Sequence, residues 1–489
     1  MTEVRTAEVG GVRVPVDHYI DGRRVSSPTT FEDRSPLDWS VKLADVARGD
    51  AVTAEAAIDA AVAAAPGWAD LGSAGRGAIL RRLADLIDEH VEPLATIECL
   101  DMAMLHESLR ARVIARGARN FRAYADLAEA YEPRRWSSNG TDNVVLRMPA
   151  GPTVVITPWN APFMLSTWKA APALAAGNPV VLKPAEWSPL SCSYLCELAD
   201  EAGVPPGVLN VVQGLGEEVG AALVADPRVR RISFTGSPET GRLIGVAAAR
   251  NLVPFTAELG GKGPMLVFAD ADLAGAVAAA ARMFDDAGQV CLAGTRLLVD
   301  DAIGDEFLDG LRAATAAHVL GDSFDPATTI SPLIHPEHLA RVEGFVERAR
   351  AAGDQILFGG RRWREEGLWY EPTLIVPHSN DAEIVQREVF GPVLTLQRFS
   401  SEQEAVALAN STDYGLSAVV YTSDAGRAQR VSDQLRAGTI WTNCFLVRDL
   451  TAPFGGAKIS GIGREGGDYA LDFYSELKTA QTKEGTTHG

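Results

Sequence analysis

Between residues 152 and 259 the chain alternates short β-branched runs with helix-length segments, and few architectures accept that rhythm. The runs are "TVVIT" (153–157), "PVVLK" (179–183), "LNVVQ" (209–213), "RISFTG" (231–236) and "FTAEL" (255–259). Strands so uniformly apolar are buried on both faces, which implies a parallel sheet covered by helices on each side. Such a sheet binds ligands at the carboxyl ends of its strands. Here those ends carry "TPWN", "KPAE" and "FTGS". Ser188 and Ser237, each followed by Pro, read as helix N-caps. A second alternating region runs from about 264 to 445, from "PMLVF" through "TRLLVD", "PVLTLQRF" and "SAVVYT" to "TIWTN". The fold class is therefore α/β, with two parallel-sheet domains.

Other segments frame these two. Residues 53–65 and 76–98 have helical spacing, the second with Ile79, Leu80, Leu83, Leu86 and Ile87 on one stripe. A further helix is expected over about 107–129. The stretch "EPRRWSSNGTDNVVLRMPAG" is extended and turn-rich, and reads as a projecting β arm over 129–146. The formal net charge of −19 makes nucleic acid and anionic membrane poor partners. No apolar stretch approaches the ~18 residues of a membrane span. The N-terminus lacks the basic start and apolar run of a secretion signal. The five cysteines form no CxxC pair, which fits a reduced, cytoplasmic setting.

Several short motifs say little alone. "GLGEEVG" (214–220) has the wrong glycine spacing for a dinucleotide fingerprint, and "FTGSPETG" (234–241) lacks the lysine of a phosphate loop. A strand followed by Gly, Ser and Pro still aims helix amides at an anion such as a pyrophosphate. "HPEH" offers His335 and His338 without a third ligand nearby, so no metal is expected. Taken singly, Asn160 reads equally well as a turn residue, Glu258 as a strand-end charge, Lys169 as a surface lysine and Cys291 as a small core residue.

Their order changes that reading. "TPWNAPF" (157–163), "AELGGKGP" (257–264), "FDDAGQVC" (284–291), "EVFGP" (388–392) and "PFGGAKISGIGRE" (453–465) together resemble the aldehyde dehydrogenase superfamily, over essentially the whole chain. Oxidising an aldehyde to an acid needs a nucleophile, an oxyanion donor, a hydride acceptor and a base to activate water. The resemblance makes Cys291 the nucleophile, Asn160 the oxyanion donor beside the Cys291 backbone N–H, Glu258 the base, and Lys169 a residue that tunes the network. It implies NAD as cofactor and no metal. Around NAD it places Ile156, Thr157, Pro158, Trp159, Lys183, Ala185, Glu186, Gly216, Phe234, Gly236, Ser237, Leu259, Gly260, Glu388 and Phe390. Glu186 favours NAD, since a carboxylate there bonds a ribose hydroxyl and repels a 2′-phosphate. It also assigns 1–128 and 147–258 to an NAD-binding domain, 259–445 to a catalytic domain, and 129–146 with 466–489 to an oligomerisation arm and C-terminal segment. Two departures are Gly263 after "GGK" and Asp286 where many members carry Asn.

The substrate is read from finer likeness. The stretches around 161–190 and 444–480 are most similar to the hydroxymuconic semialdehyde dehydrogenases, whose substrates carry carboxylates. Such a substrate needs a cation, and arginine grips a carboxylate bidentately. Arg448 is the first candidate and Arg116 the second, with Phe163, Trp168, Phe445 and Phe454 as apolar walls and Val290 and Leu292 flanking the nucleophile. The alternatives are a broad dehydrogenase for neutral aldehydes, a thiol esterase, and a catalytically silent binding protein. The partners expected are a small-molecule aldehyde and further copies of the chain, as a homodimer or homotetramer, with the arm and the C-terminal "TAQTK" strand pairing across subunits.

Overall fold

The runs of the first alternating region become five neighbouring parallel strands in one eight-stranded sheet. The computed structural model, which describes residues 4–483, orders that sheet Gly461–Ile462, Phe255–Glu258, Arg231–Thr235, Thr153–Ile156, Val180–Lys183, Leu209–Val211, His18–Ile20, Arg23–Val25. The outer strands join antiparallel. Successive residues face opposite cores: Val154 and Val181 pack with Ala57 and Ile58 of helix Ala51–Asp70, whereas Val155, Val180 and Leu182 pack with Phe163 and Leu174 of helix Pro162–Ala175. Each such valine or leucine contributes about 1.5–3 kcal/mol by leaving water, which is why the strands read as unbroken apolar runs.

The second region builds a seven-stranded sheet, in the order Gln355–Phe358, Thr373–Val376, Val393–Phe399, Arg296–Asp300, Pro264–Val267, Ser417–Tyr421, Thr439–Thr442. All neighbours are parallel except the edge pair 355–358 and 373–376. Met265 and Val267 face one core and Leu266 the other, repeating the two-sided burial.

Three expectations change. The helical pattern over 76–98 is two helices, Gly72–Glu89 and Val91–Met102, broken at His90 (φ −107°, ψ 24°). Pro93 sits in the first turn of the second, where its missing N–H has no intrahelical acceptor to satisfy. Ser237 does cap its helix, accepting from Thr240 N at 3.1 Å, but Ser188 does not. Its hydroxyl donates to Trp159 O at 3.3 Å, and the first amide of helix Leu190–Glu201 is instead bonded by Asp101 Oδ2 at 2.8 Å. Finally, the arm and the C-terminal strand pair with each other within one chain. Ser475–Lys483 runs antiparallel to Thr141–Pro149, which turns at Asn139-Gly140 onto Arg135–Ser138. Both turn residues have positive φ (52° and 71°), as this type of two-residue hairpin requires. Only the outer edges of that sheet are left to pair elsewhere. Among the described residues no helix is long and apolar enough to cross a membrane.

Candidate active site

Cys291 follows a segment whose backbone is forced. Asp286, Ala287 and Gly288 all have left-handed φ (53°, 54° and 68°). A non-glycine residue there costs on the order of 1 kcal/mol and persists only where the surroundings insist. The surroundings are close: a Cβ on Gly288 would lie 2.2 Å from Gly391 O, and one on Gly261 would lie 2.2 Å from Cys291 O. The backbone around Cys291 is therefore packed tightly against glycines of neighbouring loops. The thiol is half-buried, and its pKa is pushed up to about 12, by burial first and then by the negative charge of Glu388 and Glu258, with Arg448 opposing. At neutral pH it rests as a thiol, so reaction requires a base to take its proton.

The two strand ends supply the partners. Asn160 follows strand Thr153–Ile156, and its amide Nδ2 donates to Gln289 O at 2.9 Å, two residues before Cys291. Glu258 closes strand Phe255–Glu258, is 5% exposed, and neither of its carboxylate oxygens has a hydrogen-bond partner among the described residues. Its pKa is raised well above the carboxylate range by burial and then by Glu465, against Lys169, Arg448 and Arg464. Its backbone is fixed, with Gly236 N donating to Glu258 O at 3.0 Å. Lys169 is not a surface lysine: it is fully buried, bonds Ser233 Oγ at 3.1 Å, and pairs with Glu465. The other Glu465 oxygen accepts from the Trp168 indole N–H at 2.7 Å.

Arg448 and Arg116 meet over one ring. Their guanidinium carbons stand 5.7 Å and 5.3 Å from the Trp168 centroid, and Arg448 also lies 3.6 Å from the Phe454 centroid. Arg116 donates once, to Asn120 Oδ1 at 3.1 Å. Among the described residues Arg448 makes no hydrogen bond to protein, and neither arginine has a carboxylate within ion-pairing distance. Burial lowers the pKa of both, and for Arg116 the charge of Arg448 is the next cause. Arg448 is close enough to Cys291 and Glu258 that their ionised forms would oppose the lowering of its pKa by burial. Phe445 and Leu292 are buried nearby and Val290 is half-buried, packed in the same core as Cys291. Phe163 is wholly internal, its ring against Gly117 on the Arg116 helix, so it backs the wall rather than forming its surface.

A second group of predicted residues gathers along the strand ends. Lys183 Nζ is 3.2 Å from Glu186 Oε2, beside half-buried Ala185. The Phe234 ring covers Gly236, where a Cβ would lie 2.4 Å away, and Ser237 opens the 13-residue helix Pro238–Arg250. Gly216 is exposed at the start of the π-turn Gly216–Gly220. Glu388 Oε1 accepts from Gly261 N at 2.8 Å, and its carboxylate occupies the space a side chain at Gly260 would need. Trp159 and Phe390 meet edge-on at 5.4 Å. Phe390 is left-handed (φ 62°) and is held by His338, whose Nε2 lies 2.7 Å from Phe390 O and donates to it. Ile156 and Pro158 line the same strand end, half-buried, while the Thr157 hydroxyl is turned inward to Ser166 Oγ at 2.8 Å and Leu259 packs over Gly241.

The comparisons with known proteins decide the family. The model of the aldehyde dehydrogenase family matches residues 24–480. This chain belongs to the aldehyde dehydrogenase family. It is 41% identical to a 2-hydroxymuconic semialdehyde dehydrogenase of Pseudomonas sp. (strain CF600), over 96% of this chain and 99% of the other. It is also 41% identical to a betaine aldehyde dehydrogenase of Cereibacter sphaeroides (strain ATCC 17029 / ATH 2.4.9), over 94% and 96%. Among solved structures, a P. syringae indole-3-acetaldehyde dehydrogenase in complex with NAD+ and IAA superposes with a TM-score of 0.94 at 36% identity, covering 96% of this chain and 97% of that one. The two-sheet α/β architecture is that of the family.

Two features escaped the sequence reading. Glu465 ends the quoted "GIGRE" run and looks like any acid beside an arginine, yet it organises Trp168, Lys169 and Ser233. His335 and His338 are histidines from which no metal site is expected, and the sequence offers no other role for them. In the structure His335 caps helix Pro336–Ala351 through its Nδ1 and stacks on Trp187 at 4.4 Å, and His338 holds Phe390.

Proposed function

We propose that this aldehyde dehydrogenase oxidises a semialdehyde that also bears a carboxylate, of the 2-hydroxymuconate semialdehyde type, to the corresponding acid through Cys291. The observation that carries the substrate class is the pair Arg116 and Arg448: two half-buried cations over Trp168, Arg448 being close to Cys291, with no carboxylate of their own among the described residues. Two like charges drawn partly out of water and left without a counter-charge repel each other. A substrate carboxylate relieves both. Betaine aldehyde, the substrate named for the other relatives, carries a quaternary ammonium, which suits an aromatic cage and is repelled by two arginines.

NAD is the cofactor, and the residues gathered at the strand ends suit it. A helix N-terminus after Gly236-Ser237 suits a pyrophosphate, Glu186 a ribose diol, and Glu388 with the Phe390 and Trp159 edges the nicotinamide end. Glu186 favours NAD over NADP. When bound, the nicotinamide accepts the hydride. The chain's residues do the rest. Glu258, with both oxygens free and its basicity raised, is the strongest base near the Cys291 thiol. Thiolate attack on the carbonyl carbon makes a thiohemiacetal, whose oxyanion is met by Asn160 Nδ2 and the Cys291 backbone N–H. Loss of hydride from that carbon leaves a thioester. Glu258, having passed the thiol's proton on to solvent, then takes a proton from water as the water oxygen bonds to the acyl carbon; the C–S bond breaks, and that proton passes to the departing sulfur, releasing the acid and the thiol. Lys169, pinned by Glu465 and Ser233, holds positive charge behind Glu258 and keeps its pKa from rising further.

The same reading makes 1–128 with 147–258 the cofactor half and 259–445 the catalytic half. It makes the protein a cytoplasmic homo-oligomer: Leu243, Val246 and Leu252 are 73%, 56% and 89% exposed on and just after helix Pro238–Arg250, and the edge strand 475–483 presents Leu477. Glu258→Gln tests the chemistry. It should give at most one NADH per chain, formed more slowly than in the parent because the thiol has lost its base, and then stall, with an acyl adduct on Cys291 seen by mass spectrometry. In the parent enzyme kcat should fall as pH drops through the raised Glu258 pKa, because protonation removes the base. A flat acid limb, or full turnover by Glu258→Gln, contradicts the assignment.

A further inference from the structure

Gln289 stands between the two residues that receive the substrate's oxygen, and none of its polar groups is idle. It is 2% exposed. Its side-chain Oε1 accepts from Ile334 N at 3.0 Å, and its Nε2 donates to Asp286 O at 3.3 Å. Its backbone N donates to the same Asp286 carbonyl at 3.1 Å. Its backbone O accepts from Asn160 Nδ2 at 2.9 Å. That last bond ties the loop carrying the nucleophile to the carboxyl end of the strand Thr153–Ile156.

We infer that Gln289 is a positioning residue for the oxyanion site, acting through Asn160; the inference rests on the function proposed above. The physical reason is the planarity of the primary amide. Asn160 has two N–H bonds and one carbonyl, and its two ends are nearly isosteric. A carbonyl acceptor at 2.9 Å selects the NH2 end on that side. Because the group is flat, fixing one N–H fixes the direction of the other, which is left for the substrate's oxygen. The selecting carbonyl must itself be held still, and Gln289 adopts φ −82° and ψ 42°, a sparsely populated backbone conformation directly after the left-handed run 286–288. The side-chain amide bridges Asp286 and Ile334, so it holds the peptide that a strained loop would otherwise let turn. Preorganised donors of this kind are worth much of the rate because they need no reorientation as charge develops.

A double-mutant cycle read on the NADH burst tests this. Asn160→Ala should slow hydride transfer by about 100- to 1,000-fold, the usual loss of one oxyanion donor. Gln289→Ala should slow it by about 10-fold with the KM for NAD unchanged, and adding Gln289→Ala to Asn160→Ala should cost nothing more, because the two act as a unit. If Gln289→Ala does not fold, Gln289→Glu serves. Its carboxylate repels the Asp286 carbonyl while its protonated form can donate to that carbonyl and accept from Ile334, so its burst rate should recover as pH is lowered, relative to Gln289→Met. Multiplicative losses in the double variant, or no acid-side recovery in Gln289→Glu, overturn the positioning role while leaving the Cys291 chemistry standing. A full burst rate in Asn160→Ala overturns the oxyanion assignment itself and the role of Gln289 with it.

Discussion

Two arginine environments in this chain, one buried and one half-buried, differ in what their guanidinium groups have left to bind. Arg296, on a strand of the second sheet, is 1% exposed and donates to the carbonyls of Lys262, Leu408 and Ala409 at 2.9, 2.8 and 2.6 Å. Its fork is filled by backbone, so it is a strut. Arg448 donates to no protein acceptor among the described residues, and Arg116 to one, and both lean on aromatic faces instead. Aromatic contact stabilises a cation without using its N–H groups. The first arrangement finishes a fold; the second keeps donors in reserve, those of Arg448 close to Cys291.

Substitutions should separate the two sharply. The largest effect is expected at Arg296, where Arg296→Met strands three buried carbonyls and should lower stability by about 3–5 kcal/mol, measured by urea unfolding. If the loss is below about 1 kcal/mol, the contrast between strut and receptor collapses. Next comes Arg116→Leu, which removes one of two mutually repelling cations. It should change stability by no more than about 0.5 kcal/mol, while raising the KM for a carboxylate-bearing semialdehyde. A large loss of stability there would make Arg116 a strut as well.

The sequence carried the plan of both sheets, because unbroken runs such as "PVVLK" are legible wherever a strand is buried on two faces. It also singled out Cys291, Glu258 and Asn160, through the order of five separated motifs rather than through any local stretch. What it did not carry depends on contacts across long gaps. Lys169 looks like a surface residue until Glu465, 296 positions later, is brought beside it. Ser188 has the composition of a cap, but Trp159 O takes its hydroxyl and Asp101 takes over the helix amide. The break at His90 falls between two helices that are both rich in buried apolar residues, so composition alone does not mark it. The arm and the C-terminal strand both read as edges in need of a partner, and the periodicity of each says nothing about the other.

The most direct measurement is the ratio of kcat/KM for 2-hydroxymuconate semialdehyde over hexanal, followed by NADH formation, in the parent enzyme and in Arg448→Ala. Loss of a charged, hydrogen-bonded contact to the substrate carboxylate should lower that ratio by about 10- to 100-fold, almost wholly through the anionic substrate. A ratio that does not move, with hexanal the better substrate throughout, would contradict the account.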